Sequence, residues 1–385
     1  MDRWLIHNVT RVDAEGLVQN AWLLAEDGRI AAVGTGRDWI DHASDTRIED
    51  GAGAYLTPGF IDLHSHGGGG FSYEDGADSI IAATSAHRSH GTTRSVVSFV
   101  TNPIHKLEEN LRVVAALRST HPQILGSHLE GPFLAANRNG AHNLAFLQNA
   151  TDADVQRLLT AANGSLLQVT LDPNRTGANE AMLALIGNRV IVAIGHTDAD
   201  FEAASISFDN GASLLTHAFN AMPGIHHRFP GPVMAAIDDP KIVLEVILDG
   251  EHVHPSVVAM LFSAAPHRIA LVTDAMAGAG GSDGEYRLGS ISVTVHQGRA
   301  EITGTQTIAG STSTLDQSLR LGIQSGIDPV AMIEALTLTP ARVLGLHTQI
   351  GLLRSGFLAD LVTLDSGWSV KSVRTSNHLL GGAHH

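Results

Sequence analysis

Two histidines, His64 and His66, stand two residues apart in the stretch PGFIDLHSHGGGG, residues 58–70. Alternate residues of a strand point to the same face, so both imidazoles can bind one metal ion if this stretch is a strand. The chain contains 22 histidines among 385 residues, however, and about one His-x-His pair is expected by chance. A second pair is indeed present at His252 and His254. The motif alone is therefore only a hypothesis.

Several other metal-competent side chains share a property with this pair, because each follows or ends a short apolar run. They are His128, Glu130, His196, His217, Asp249, His252 and Asp274. The chain has no cysteine, so a metal must be held by His, Asp and Glu, and no disulfide can form. Zn²⁺ is the expected ion for such nitrogen and oxygen donors, and Fe²⁺, Mn²⁺ and Co²⁺ also fit.

The apolar runs alternate with amphipathic stretches such as HKLEENLRVVAALRST and DADFEAASISFDNG. The runs that read as strands are, in order, YLTPGFIDLHSHG, TTRSVVSFVT, QILGSHLEGP, LLQVTLDP, RVIVAIGHTD, SLLTHAFN, KIVLEVILDG and RIALVTDAMAG. Near-continuous Val, Ile and Leu strands that alternate with helices indicate a parallel sheet covered by helices. The pattern predicts an α/β fold, a (β/α)8 barrel of the TIM type. A doubly wound open sheet is the alternative, although no G-x-G-x-x-G follows an early strand.

Both ends of the chain differ from this repeat. The first 55 residues alternate short apolar runs with turns such as EDGR, and the last residues contain GLLRSGFLADLVTLDSGWSVKSVRTS, which reads as short strands between glycine turns. We therefore predict a small β-sandwich domain formed from residues 1–55 together with 347–385. The catalytic barrel is predicted to span residues 56–346.

Barrel geometry would gather the polar residues in one place. Functional side chains of (β/α)8 barrels lie at the carboxyl ends of the strands. Six of the eight predicted strands end in a metal-competent residue, and histidines scattered by chance would not concentrate there. The sequence therefore predicts a metal centre at this end of the barrel.

Charge and hydropathy limit the possible partners. The 24 Lys and Arg residues against 39 Asp and Glu give a net charge of −15, which argues against nucleic acid or an anionic membrane. A small anionic substrate remains possible, since one local arginine can bind a phosphate. The start, MDRWLIHNVTRVD, does not resemble a signal peptide, and no apolar run approaches the roughly 18 residues of a membrane span. We expect a cytoplasmic protein.

Seven segments together resemble the N-acetylglucosamine-6-phosphate deacetylases of the amidohydrolase superfamily. They are, in order, PGFIDLHSHG, HLEGPF, GHTDAD, THAFNAMP, DGEHVHP, LVTDAMAG and IAGS, and the resemblance covers essentially the whole chain. The His-x-His pair is shared across the superfamily, whereas HLEGP and THAFNAMP are more particular to the deacetylases. The implied reaction is metal-dependent hydrolysis of the N-acetyl group of N-acetylglucosamine 6-phosphate to glucosamine 6-phosphate and acetate, a step in amino-sugar catabolism.

The resemblance also implies one or two divalent ions per subunit. The main ion would be held by Glu130, His196 and His217. A second ion would be held by His64 and His66, with Glu130 as a bridge and Asp274 contributing. The same resemblance makes Asp274 the general base and then the general acid, and makes His142 the donor to the carbonyl oxygen.

The substrate-binding residues that the resemblance implies are Ala141, His142, Asn220, Ala221, Arg228, Asp249, His252, Ile308, Ala309 and Gly310. Arg228 would bind the 6-phosphate with help from His252. In this family a phosphate ligand can come from the neighbouring subunit, so a homodimer or a dimer of dimers is expected. One departure concerns strand 4, which ends TLDPN where relatives have Ala-Pro-Glu, and Asp172 and Asn174 leave the substrate detail open.

Three alternatives stand beside this interpretation. An N-acetylgalactosamine-6-phosphate deacetylase shares almost every motif, and a non-catalytic barrel would be expected to have lost some ligands. A dihydroorotase would carry a carbamylated lysine on strand 4, where LLQVTLDP contains none. The glycine-rich stretch AMAGAGGSDGEY, residues 275–286, reads either as a mobile lid or as a plain surface loop.

Overall fold

The computed structural model describes residues 3–380. Its strands are β1 (Arg3–Asp13), β2 (Gly16–Glu26), β3 (Arg29–Thr35), β4 (Arg47–Asp50), β5 (Tyr55–Pro58), β6 (Phe60–Ser65), β7 (Gly67–Gly68), β8 (Phe71–Ser72), β9 (Thr92–Val100), β10 (Ile124–Glu130), β11 (Leu166–Leu171), β12 (Ile191–Ile194), β13 (Leu214–Leu215), β14 (Val243–Ile247), β15 (Ile269–Val272), β16 (Gly284–Leu288), β17 (Ile291–His296), β18 (Arg299–Ile302), β19 (Leu361–Leu364) and β20 (Val370–Arg374). Its α-helices are α1 (Ala77–Ser89), α2 (Ile104–Arg118), α3 (Asp152–Ala162), α4 (Ala178–Gly187), α5 (Phe201–Asp209), α6 (Gly231–Asp238), α7 (Pro255–Ala264), α8 (Leu315–Gln324), α9 (Pro329–Leu336) and α10 (Leu338–Val343). None of the helices within residues 3–380 combines the length and the apolar character needed to cross a bilayer, and the cytoplasmic location stays a prediction.

Eight parallel strands form the barrel in the order β6, β9, β10, β11, β12, β13, β14, β15. The first and last strands meet through backbone hydrogen bonds, from Asp274 N–H to the His64 carbonyl (2.9 Å) and from His66 N–H to the Ala275 carbonyl (2.7 Å). Helices cover the outer face and bury the apolar side chains of the strands. The predicted (β/α)8 barrel is confirmed, and the open doubly wound sheet is wrong because β6 and β15 join.

A seven-stranded sheet combines both ends of the chain. Its order is β20, β19, β5, β1, β2, β3, and β4 pairs with the first half of β1. The long strand β1 thus has β4 and then β5 as successive neighbours on one edge. The predicted small β unit made from both chain ends is confirmed, while its limits at residues 55, 56, 346 and 347 remain predictions. Residues 1, 2 and 381–385 of that unit lie outside the described residues.

The prediction for the stretch after the last barrel strand was incomplete. Strands β16, β17 and β18 form an antiparallel sheet between β15 and α8, and sequence reasoning did not find it. Residues 275–286, predicted to be a mobile lid or a plain surface loop, are buried from Ala275 to Ala279, exposed from Gly280 to Asp283, and end inside β16. The short alternating pattern of these strands, with one face on a small apolar core around Val293, resembles a solvent-facing loop when the sequence is read alone.

A buried arginine joins the barrel to the end sheet. Arg94 of β9 is 1% exposed, and its Nε donates to the Asp360 carboxylate (2.7 Å). Its guanidinium also donates to Ser376 Oγ (2.9 Å) and to the carbonyls of Pro122 and His378. Asp360 directly precedes β19 and is itself 5% exposed, so both charges of this pair are out of water. The pair therefore anchors the C-terminal segment against the amino-terminal end of a barrel strand.

We expect Arg94→Met to lower the free energy of unfolding by about 3–5 kcal/mol, because it leaves the Asp360 carboxylate buried without its partner. Adding Asp360→Asn should recover part of this loss. Chemical denaturation of the single and double variants measures both effects. Arg157→Met is the matched control, since the exposed Arg157–Glu108 pair should contribute at most about 1 kcal/mol. Equal losses for Arg94→Met and the control would contradict the anchoring role.

Candidate metal centre

The carboxylate of Glu130, the last residue of β10, lies at the centre of a buried cluster of histidines. Its Oε1 atom is 3.0 Å from Nε2 of His196 and 2.9 Å from Nε2 of His217. Its Oε2 atom is 3.1 Å from Nε2 of His66 and 3.5 Å from Nε2 of His64. The two oxygens therefore face two different pairs of imidazoles.

The first pair comes from neighbouring strands of the barrel. His196 follows β12 and His217 follows β13, each two residues beyond the strand end. Their Nε2 atoms lie 3.1 Å apart. Together with Glu130 Oε1 they bring three possible ligand atoms within 3.1 Å of one another.

The second group includes the residue that follows the last barrel strand. His64 and His66 bring their Nε2 atoms to 3.1 Å from each other. Asp274 Oδ1 is 3.2 Å from His66 Nε2 and 3.5 Å from His64 Nε2. The barrel closure that joins β6 to β15 thus brings both histidines against Asp274, and Glu130 Oε2 completes the group.

These residues fit a divalent cation. Ligand atoms around a tetrahedral ion with bonds of 2.0–2.2 Å are separated by about 3.3 Å, and the contacts within the two groups run from 2.9 to 3.5 Å. The oxygens also attract positive charge. Burial disfavours protonated His66, yet Asp274 and Glu130 raise the pKa of His66 to about 9. The cluster therefore has the donor types, the spacing and the negative charge that a metal ion requires.

Three of the candidate ligands have an unusual backbone conformation. His196, His217 and Asp274 have φ values of 46°, 25° and 47°, in the left-handed region that residues other than glycine rarely adopt. Such conformations cost of order 1–3 kcal/mol and persist where the surrounding structure imposes them, often at functional sites. Here each one turns the chain directly after a barrel strand. The strained backbone therefore occurs at residues whose side chains lie in the cluster around Glu130.

His142 faces the same cluster but differs from the ligand histidines in its hydrogen bonding. The Thr101 backbone N–H donates to Nδ1 of His142 (3.1 Å), which leaves the ring hydrogen on Nε2. Nε2 lies 3.3 Å from Glu130 Oε2. Burial lowers the pKa of His142 to about 4, so the ring is neutral at pH 7. In this tautomer His142 can donate a hydrogen bond from Nε2 and cannot ligate a metal through that atom.

Asp274 is ionised although it is buried. Burial opposes its charge, but the charge of His64 and the hydrogen bond from His66 outweigh that effect and hold the pKa of Asp274 at about 2. Its carboxylate also forms part of the wall of the cleft above the cluster. It is therefore available as a proton acceptor at neutral pH.

The cleft above the cluster brings together most of the predicted substrate-binding residues. Those that line it are Ala141, His142, Asn220, Ala221, His252, Ile308 and Gly310. Asp249 does not line it but accepts from His252 Nδ1 (2.6 Å), and Ala309 is fully buried behind the wall. Arg228 is exposed, lies in a turn closed by hydrogen bonds between His226 and Phe229, and is not among the residues that line the cleft.

Two residues that the sequence analysis singled out, His128 and Asp172, make their hydrogen bonds within the fold and not in the cleft. His128 is fully buried between Ser98 Oγ and Thr170 Oγ1, each 2.9 Å from a ring nitrogen, and its ring packs edge-on against His64 with the centroids 4.6 Å apart. Asp172 accepts from Thr197 Oγ1 (2.5 Å) and from the backbone N–H of Asn174 (3.1 Å). Neither residue lines the cleft.

Sequence reasoning missed two charged residues beside the site. Arg138 lines the cleft, pairs with Asp198 and accepts at its carbonyl from His196 Nδ1 (2.7 Å). Glu245 lies behind His64, with its Oε2 3.3 Å from His64 Nδ1. A signal for Glu245 was present, because it is the one acidic residue inside the apolar run KIVLEVIL. No comparable signal marked Arg138 in its polar loop.

Comparison with known proteins places these features in a family. Residues 55–379 match the family model described as "Amidohydrolase family". N-acetylgalactosamine-6-phosphate deacetylase from Escherichia coli O157:H7 is 34% identical over 364 residues, covering 93% of this chain and 94% of that protein. Human N-acetylglucosamine-6-phosphate deacetylase is 35% identical over 350 residues, covering 86% of this chain and 84% of that protein.

A solved structure shows the same architecture over nearly the whole chain. It is a mutant of N-acetyl-D-glucosamine-6-phosphate deacetylase from Mycobacterium smegmatis in complex with N-acetyl-D-glucosamine-6-phosphate. That structure is 35% identical, covers 98% of this chain and 99% of that chain, and has a TM-score of 0.92. With the barrel and the buried histidine and carboxylate cluster described above, these matches lead to one conclusion: the chain belongs to the amidohydrolase family.

Proposed function

We propose that this protein hydrolyses the N-acetyl group of N-acetylglucosamine 6-phosphate to glucosamine 6-phosphate and acetate. One observation carries the proposal above the others: Asp274, which is ionised, and His142, which is neutral, line the same cleft beside the Glu130 cluster. The human and mycobacterial relatives, both N-acetylglucosamine-6-phosphate deacetylases, supply the substrate class. A metal-dependent amide hydrolase is the function that this arrangement supports best.

We assign the ligands of the ion as the family resemblance implies. Glu130, His196 and His217 would hold one divalent ion, and His64, His66, Glu130 and Asp274 would hold a second. The chemistry that such an ion supplies when bound is Lewis acidity, which polarises an amide carbonyl and lowers the pKa of the attacking water. The donor set of nitrogen and oxygen suits Zn²⁺, and Fe²⁺, Mn²⁺ and Co²⁺ also fit.

In this proposal Asp274 transfers the proton and His142 stabilises the negative charge on the carbonyl oxygen. Asp274 accepts a proton from the attacking water and then delivers it to the amine nitrogen as the C–N bond breaks. The Nε2–H of His142 donates to the carbonyl oxygen, where negative charge develops in the tetrahedral transition state. The sugar lies along the wall formed by Asn220, Ala221 and Ile308.

The direct test measures amine release from N-acetylglucosamine 6-phosphate by chelator-stripped protein, with and without added Zn²⁺. We expect activity only with metal, because the carbonyl is not polarised in its absence. Restoring activity with Mn²⁺, Fe²⁺ or Co²⁺ would compare the candidate ions. Turnover that persists undiminished in the stripped protein would contradict metal dependence, and no turnover under any ion would contradict the substrate.

A second candidate function is deacetylation of N-acetylgalactosamine 6-phosphate. It is favoured by the E. coli O157:H7 relative, whose match covers 93% of this chain. The two substrates differ in the configuration of one hydroxyl, so the same centre would serve both. Comparing kcat/KM for the two epimers in the same assay decides between them.

Asp274→Asn should retain substrate binding and lose turnover by about 10³-fold or more, because the amide cannot accept the proton from water. Steady-state kinetics and a direct binding assay separate the two effects. Metal content should be measured on the same sample, since Asp274 also contacts the candidate ligands. Turnover near that of the wild type would remove Asp274 from its role.

We further propose that the protein is a homodimer in which Arg228 reaches the substrate phosphate of the neighbouring subunit. Arg228 is exposed and does not line the cleft of its own chain, and nearby Ile225 and Phe229 are 41% and 73% exposed. Burying these apolar side chains against a second copy would stabilise a dimer. A planar guanidinium is well suited to a phosphate.

Arg228→Ala should raise KM for the phosphorylated sugar about tenfold or more, the equivalent of losing one charge-assisted contact, and leave the unphosphorylated sugar nearly unaffected. Arg112→Ala, on the exposed face of α2, is the matched control. Mixing the Arg228→Ala and Asp274→Asn variants should restore activity at low substrate, because a mixed dimer then contains one complete site. Equal losses on both sugars would contradict the phosphate contact, and no recovery on mixing would contradict the exchange between subunits.

A further inference from the structure

Glu245 lies in the middle of β14 and is fully buried at the centre of the barrel. Its Oε2 atom is 3.3 Å from Nδ1 of His64, on the side of the ring opposite the candidate metal position. Its Oε1 atom accepts a hydrogen bond from Nε2 of Gln168 (2.8 Å). Both carboxylate oxygens therefore have a defined partner, and both partners are fully buried as well.

The charge of Glu245 needs compensation in this position. A buried carboxylate is strongly unfavourable unless it is paired and hydrogen-bonded. No lysine or arginine within the described part of the chain forms an ion pair with Glu245, and His64 is its one titratable partner there. Positive charge on the far side of the His64 ring would compensate the carboxylate.

The four candidate imidazole ligands differ in what their Nδ1 atoms contact. Nδ1 of His196 contacts the Arg138 carbonyl (2.7 Å), which is a neutral acceptor. Nδ1 of His66 and Nδ1 of His217 have no hydrogen-bond partner among the described residues. His64 is the one ligand of the four with a carboxylate at Nδ1, so Glu245 distinguishes the second ligand group from the first.

We propose that Glu245 is a positioning residue that controls occupancy of the second metal position through His64. By accepting from Nδ1–H, Glu245 fixes the tautomer in which His64 Nε2 has a free lone pair, and it makes the ring a stronger donor. Gln168 holds the carboxylate in place from the other side. This inference rests on the two-ion centre proposed above, and it concerns only the group of His64, His66 and Asp274.

The test is a metal titration that requires no substrate. Apoprotein is dialysed against a series of Co²⁺ concentrations, and bound Co²⁺ per chain is measured with the visible absorption of the ion. We expect two ions for the wild type. Glu245→Gln should weaken one binding event by about 10- to 100-fold, because the amide no longer supplies negative charge at Nδ1, and leave the other unchanged.

Two further variants assign the affected position. In a His66→Ala background, which removes a ligand of the second group, Glu245→Gln should cause no additional loss. Glu334→Gln is the matched control, since Glu334 is also buried and accepts from a histidine Nδ1, that of His267 (2.7 Å), at the other end of the barrel. Its Co²⁺ binding should equal that of the wild type.

Thermal unfolding of each apoprotein shows whether a loss of Co²⁺ affinity comes from a displaced His64 or from a destabilised fold. If Glu245→Gln does not fold, Gln168→Met keeps the carboxylate but releases it, and should weaken the same binding event to a smaller extent. Unchanged affinity at both positions, equal weakening at both, or a wild type that binds a single Co²⁺ would each overturn the proposal. Because no acetylated sugar is used, failure of the deacetylase assignment would leave this result interpretable.

Discussion

One carboxylate determines the arrangement of this site. Glu130 lies within 3.5 Å of the Nε2 atoms of five histidines, which approach it from separate strand ends and one loop. An acidic group so deeply buried is tolerated only when it is paired and hydrogen-bonded, and the five imidazoles supply those partners. The barrel satisfies this condition because the carboxyl ends of all its strands converge on one opening. The positions of the other site residues are set by where each barrel strand ends.

The histidines of this site differ in function because the ring nitrogen that faces away from the Glu130 cluster has a different partner in each of them. A backbone N–H at Nδ1 makes His142 a donor at Nε2. A backbone carbonyl or a carboxylate at Nδ1 leaves Nε2 of His196 or His64 free to act as a ligand. His128, enclosed by two hydroxyl groups, has neither nitrogen available. The second contact of each ring, and not its identity as histidine, therefore separates donor, ligand and structural residue.

The barrel was predictable because it depends on a local pattern, apolar runs that alternate with amphipathic stretches. The polar residues at the ends of those runs marked the candidate ligands, and the family resemblance suggested their roles. Features that depend on packing between distant segments were not predictable. The sheet of residues 284–302 lacks a long apolar run, and nothing in the local sequence reveals that Arg228 does not line the cleft of its own chain. The partner of His64 required knowing that β6 and β14 bring residues 64 and 245 together inside the barrel. Sequence patterns give the type of a side chain, whereas its tautomer and charge depend on neighbours that only the fold supplies.

The hydrogen bonds that join β6 to β15 have a consequence for the folding of the newly made chain. His64 is made early and Asp274 late during synthesis, so a nascent chain that lacks its last barrel strand cannot assemble the second ligand group. Closing so long a loop costs chain entropy. A cation bound by residues of both β6 and the segment after β15 would prefer the closed barrel to the open one. It would therefore shift the equilibrium toward the closed barrel. An ion bound at this group would thus stabilise the closed barrel over the open one.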